Sequence, residues 1–199
     1  NPALHFRRDS KVIAERYPFI AKESKDFTQR PGAYGLSASF MQFLHKAVHR
    51  DYTMYYEDDA LPGDNKKLFR DQLLLALSSL PNEGNDVYSF STTSYCTSCP
   101  DRPIWKKRSP HMGTTALLYT KGAARAILAH VGRHGTDKPI DKLLNDLQDK
   151  GVINGWDWHG NAVFENPMFC GIFKQGDTFC GKVRPKSLME AKGFAARNK

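Results

Sequence analysis

Glu57, Asp58 and Asp59 stand side by side after the aromatic run Tyr52-Thr53-Met54-Tyr55-Tyr56, shortly before Pro62-Gly63. Neighbouring carboxylates repel one another, and the repulsion costs stability unless a positive group neutralises it. A hard divalent cation such as Mg²⁺ or Mn²⁺ takes oxygen ligands and would resolve it. If the aromatic run is a strand, alternation sends Glu57 and Asp59 to one side and Asp58 to the other. Two acids spaced like a D-x-D pair then face one cleft, where their metal would screen the charge of a departing diphosphate. The plainer alternative is a solvated acidic turn that introduces the next helix, because charge runs most often belong to surfaces.

The elements that must position these acids are legible from periodicity. Leu36, Phe40, Phe43, Leu44, Ala47 and Val48 recur at helical spacing, which predicts a helix over 36–49. Residues 52–56 are short and β-rich, the composition of a buried strand, so the acids fall at its carboxyl end. A second helix is predicted over 65–80, stopped by Pro81, followed by a strand over 86–90. A long polar loop then holds the cysteine pair, three prolines and Lys106-Lys107-Arg108, before a strand over 114–119. Thr120 is placed to cap a helix that runs to about residue 130, broken by Gly132 and Gly135. Pro139 opens another helix to Lys150, closed by Gly151. A short helix is expected over 11–17, ending before Pro18, and short strands near Val152 and Val163. Alternating strands and helices predict an α/β layered fold with a mainly parallel sheet, flanked by helices. In such sheets ligands bind beyond the carboxyl ends of the strands, where the three acids fall.

Bulk composition narrows the class. A chain of 199 residues, 40% hydrophobic and 25% charged, can bury a real core as a single domain without needing disulfides or metals to fold. No apolar run approaches the roughly 20 residues of a membrane-spanning helix. The first residue is Asn1 rather than Met, which reads as a trimmed or processed start and leaves localisation open. The formal net charge of +8 suits anionic partners. The cations are dispersed, however, apart from Arg7-Arg8, Lys106 to Arg108 and a basic tail over 186–199, so nucleic acid is not favoured. Cys96 and Cys99 form a CxxC, but Cys170 and Cys180 are separated too widely for a zinc site built from two close pairs. Two disulfides or free thiols both fit the count. No Gly-rich phosphate loop, GxSxG elbow or HExxH motif occurs.

The stretch "GAYGLSASFMQFLHKAVHRDYTMYYEDDALP" resembles the central signature of the family 25 glycosyltransferases, the group of the lipopolysaccharide and collagen galactosyltransferases. A second block of that family, a Gly-Thr strand, a Gly-Ala helix and a Pro-hydrophobic-Asp step, is matched by "MGTTALLYTKGAARAIL" and then "KPIDKLL". Together the blocks cover roughly residues 32–145. The resemblance implies a GT-A type, Rossmann-like fold, a nucleotide-sugar donor and a divalent metal, usually Mn²⁺. It further implies that Asp59 is a metal ligand and that Glu57 meets the metal through water or touches the donor's ribose. Asp58 would hold the loop or the sugar, and Asp141 would bind acceptor or serve as base. Two departures accompany it. Ser37 is followed by Ala38 where the family usually has His, and residues 1–30 read as the remnant of a trimmed nucleotide-binding start.

The stretch "NGWDWHGNAVFENP", residues 154–167, reads as loop-like and gathers further candidates. Trp156 and Trp158 suit stacking on sugar rings or packing in the core. An inverting transfer needs a carboxylate that takes the acceptor hydroxyl's proton, and Asp141, Asp157 and Glu165 all qualify by type. His159 could complete a metal shell, as histidines late in the chain do in many GT-A enzymes, or be an ordinary hydrogen-bonded histidine. Arg7, Arg8 and Lys106 to Arg108 could meet diphosphate, and His111 could approach the donor; each also suits a solvated surface. The expectation is a metal-dependent glycosyltransferase moving a sugar, with inversion, from a nucleotide diphosphate to a hydroxyl of a glycan, a lipid-linked sugar or a protein. The rivals are a metal-dependent phosphohydrolase or nuclease, and a non-catalytic carbohydrate-binding relative.

Overall fold

The computed structural model describes residues 11–21, 24–29, 31–57, 60–62, 66–95, 104–107, 114–159, 169–171 and 173–175. In chain order the elements are α1 (residues 11–16), α2 (Lys25–Gln29), α3 (Pro31–Ala47), β1 (Tyr52–Tyr56), β2 (Ala60–Pro62) and α4 (Lys66–Ser78). They continue with β3 (Asp86–Ser89), β4 (Ser91–Tyr95), β5 (Ile104–Lys107), β6 (Ala116–Thr120) and α5 (Lys121–His134). The last are α6 (Ile140–Asp149), β7 (Asn154–His159), β8 (Phe169–Gly171) and β9 (Phe173–Gln175). Two compact units share these elements. The first comprises Asn1–Thr53, Gly84–Asp86 and Tyr119–Asn154; the second comprises Met54–Glu83, Val87–Leu118 and Gly155–Lys199.

In the first unit, α3 begins five residues earlier than the apolar spacing predicts. Pro31 is suited to a first helical turn, where its missing N–H costs nothing. Gly32 and Gly35 have open space where a side chain would stand, so they interrupt neither the helix nor its packing. Tyr34 of α3 meets Phe27 of α2 edge to face at 5.6 Å, and Phe40 and Phe43 reach Tyr119 at 5.7 and 5.4 Å. The α6 residues Ile140, Leu143, Leu144 and Leu147 are buried at the i, i+3, i+4, i+7 spacing of one helix face. Gly151, at φ 68°, closes that helix in a conformation that disfavours any side chain.

Thr120 caps α5 as its place in the sequence predicts, accepting the Ala123 N–H at 3.1 Å. The same hydroxyl oxygen accepts the Asp86 N–H at 3.0 Å and donates to the Gly84 carbonyl at 2.9 Å. One side chain thus ties the start of β3 to the start of α5. That closeness is possible because position 122 is glycine. A Cβ there would lie 2.8 Å from the Gly84 carbonyl oxygen and 2.7 Å from the Asn85 side-chain oxygen.

The second unit holds most of a five-stranded sheet in the order β1-β6-β3-β7-β5, alongside the small pairs β2-β9 and β4-β8. The sheet is mostly antiparallel with one parallel pair, which differs from the mainly parallel sheet expected. Glu57 N–H bonds Thr115 O while Lys121 N–H bonds Asp51 O, so β1 and β6 run in opposite directions. The Asn85–Asn154 bond aligns the starts of β3 and β7, the parallel pair, and β5 returns antiparallel on β7. On one face Met54, Tyr88, Phe90, Ala116, Leu118, Trp156 and Trp158 converge with Trp105, at alternate positions along their strands. Helix α4 lays Phe69, Leu73 and Ala76 on that face, and Leu80 follows just beyond its end. The Trp105 ring lies 5.2 Å from Trp158 and 5.4 Å from Tyr88, and its Nε1–H donates to the Ala76 carbonyl at 3.1 Å. The fold is therefore mixed α/β, and no described helix is long and apolar enough to cross a membrane.

Gly122→Ala is expected to lower stability by about 1–3 kcal/mol through overpacking against the Gly84 carbonyl. Gly132→Ala, in the same helix with open space around it, is expected to raise stability by up to about 1 kcal/mol. Urea unfolding of the two variants, compared with the parent, checks the opposite signs.

Candidate functional site

Glu57 stands one residue past β1, and two interactions from the entry to β6 fix it. Its backbone N–H donates to the Thr115 carbonyl at 3.0 Å, extending the ladder beyond the strand. Its carboxylate oxygen Oε1 accepts the hydroxyl of Thr114. Thr114 and Thr115 are both buried and Glu57 is half-buried. A charged acceptor so placed depends on its hydrogen bond far more than a surface carboxylate does. The Ala60 N–H, at the start of β2, donates to the Glu57 carbonyl at 3.1 Å. That short strand pairs antiparallel with β9, Ala60 opposite Gln175.

The antiparallel register explains the meeting. Residues 57 and 114 are far apart in sequence, but the end of one strand necessarily lies beside the start of an antiparallel neighbour. Oxygen-donor chemistry suits a hard divalent cation at this carboxylate, and an outer hydroxyl that orients a ligand is a common feature of metal sites. Asp58 and Asp59 lie outside the described residues. Among the described residues no group of three His, Cys, Asp or Glu side chains is disposed to hold a metal.

No family model and no curated protein matches the chain.

The other candidates fall in several places. The stretch over 154–159 is strand rather than loop, which corrects the reading of "NGWDWH". Asp157 sits midway along β7, only 5% exposed, opposite Lys106 of β5 in register. Strands β6 and β3 intervene between β1 and β7. Three strand spacings put Asp157 roughly 14 Å from Glu57 across the sheet. Trp156 and Trp158 are buried, at 8% and 1% exposure, in the aromatic cluster, so core packing is the role observed for them. The backbone of His159 pairs with Ile104, and its side chain lies outside the described residues. Asp141 occupies the first turn of α6 in the first unit, where a negative charge is favourable to the helix dipole. Lys107 has a structural engagement: it pairs with Glu83 and stands over the Trp156 ring at 4.3 Å. Lys106 is exposed. Arg7, Arg8, Arg108, His111, Glu165 and the side chains of all four cysteines lie outside the described residues.

Thr114 is the functional candidate that residue-type reasoning passed over. Its signal is the pair of hydroxyls in "GTT", standing immediately before an apolar strand. Thr114→Val is expected to lower stability by about 1.5–3 kcal/mol, because it removes a hydrogen bond made to a half-buried carboxylate. Thr114→Ser keeps the hydroxyl and should recover most of the loss in the same urea titration.

Proposed function

We propose that the protein is a divalent-metal-dependent glycosyltransferase of the GT-A type, related to family 25. It would transfer a sugar from a nucleotide diphosphate to a hydroxyl of a glycan, a lipid-linked sugar or a protein. The observation that carries this reading is the meeting at Glu57 of the two sequence blocks that bear the resemblance. The first block carries Glu57-Asp58-Asp59 near its end; the second carries Thr114 and Thr115 near its start, and the Thr114 hydroxyl and the Thr115 carbonyl grip Glu57. The two stretches that make the resemblance in sequence thus also make one local structure.

Asp59 and, directly or through water, Glu57 would hold the metal, carboxylate oxygens that fit Mn²⁺ or Mg²⁺, while Asp58 would hold the loop or the sugar. When bound, such an ion supplies neutralisation of the negative charge that builds on a departing diphosphate. The chain's own part begins with Thr114, which keeps the Glu57 carboxylate oriented so that no reorganisation is needed as charge develops. A carboxylate takes the proton of the acceptor hydroxyl. The freed oxygen forms its bond to the anomeric carbon as the bond to the diphosphate breaks. That single displacement inverts the anomeric centre.

The test is release of nucleoside diphosphate from a panel of nucleotide sugars in the presence of Mn²⁺. Steady release from one donor, falling to background in Asp59→Ala while the thermal unfolding midpoint is kept, is the expected result. Phosphate release from simple phosphoesters would assign the acids to a hydrolase instead. No release, and no thermal shift with any donor, would leave a carbohydrate-binding relative.

A further inference from the structure

His130 and His134 lie one helical turn apart at the end of α5, with ring centroids 4.7 Å apart. Two imidazoles at i and i+4 on a continuous helix point the same way and can offer a nitrogen each to one ion. His45 and His49 share that spacing, but α3 ends at Ala47, so the second ring leaves the helical frame. Of the two pairs, only 130 and 134 are both carried by helix.

We propose that His130 and His134 form a two-nitrogen clip for a borderline transition-metal ion, of which Zn²⁺ is the commonest, with water filling the rest of the shell. Imidazole is a preferred ligand of such ions, whereas the oxygen set around Glu57 suits harder ones, so the two sites select different metals. A ligating imidazole must be neutral. Burial first, then His134, Lys150 and Arg133, hold His130 below the ordinary imidazole range, and Asp146 opposes them. The cations cost some of the ion's affinity. Asp146 offsets little of that cost, since Lys138 and Lys150 occupy its carboxylate at 2.9 and 2.8 Å. With no third protein ligand among the described residues, the clip would exchange its metal readily. It would lose it as pH falls through the imidazole range.

The experiment is a titration of the full chain with Zn²⁺ near neutral pH, following the imidazole carbon-bound proton resonances of its seven histidines by NMR. This readout is specific to each ring and unaffected by zinc taken up at the cysteines. The resonances of His130 and His134 are expected to move together with a common midpoint. His134→Ala should shift the midpoint for His130 upward by about tenfold or more, whereas His45→Ala with His49→Ala should leave it in place. Resonances of His130 and His134 that stay fixed at a large excess of Zn²⁺ would overturn the proposal. So would a His130 midpoint unchanged in His134→Ala.

Discussion

The antiparallel pairing of β1 with β6 is the constraint on which the rest depends. Backbone bonds pin it at both ends, Asp51 with Lys121 and Glu57 with Thr115. Because side chains alternate along a strand, a slip of one residue would turn Met54, Ala116 and Leu118 away from the aromatic cluster. The apolar face therefore selects the register, and the register delivers Glu57 to Thr114. Burial of a tryptophan-rich core and orientation of a chemically useful carboxylate are two consequences of one alignment.

Much of the fold was legible because its elements carry strong local signals. Apolar spacing identified the longer helices but not α2, and Thr120 and Gly151 marked two helix ends; residues 52–56 formed a strand, but at a sheet edge with Tyr52 and Tyr56 exposed rather than buried as expected. Strand direction was not legible. Periodicity reports which face is buried and says nothing about which neighbour lies alongside, so alternation of strands and helices suggested parallel pairing that the register contradicts. Helix α3 shows the reverse difficulty, since Gly32 and Gly35 weaken the helical signal although the structure leaves them free to be helical.

The candidate site was half legible. Three adjacent acids after a β-rich run announce themselves by type. The hydroxyl partner of Glu57, fifty-seven residues away, belongs to a tertiary contact that no local pattern encodes. Asp157 illustrates how composition misleads. Flanked by two tryptophans in a polar-looking stretch it resembles a sugar-binding loop, yet Trp-Asp-Trp is also the period-two pattern of a strand with one buried aromatic face. The burial of both tryptophans follows from that second reading. Lys107 repeats the lesson, for a cation in a basic run is engaged by Glu83 and the Trp156 ring.

The central claim is that Glu57 and the acids beside it hold a divalent cation against the β1–β6 junction. Paramagnetic broadening by Mn²⁺ tests it most directly, read on the backbone amide resonances of the full chain at substoichiometric metal. The account predicts that the amides of Glu57, Ala60 and Thr115 broaden first, and that Asp59→Ala removes the effect. Broadening centred elsewhere, or spread evenly over the acidic surface with Glu57 unaffected, would contradict it.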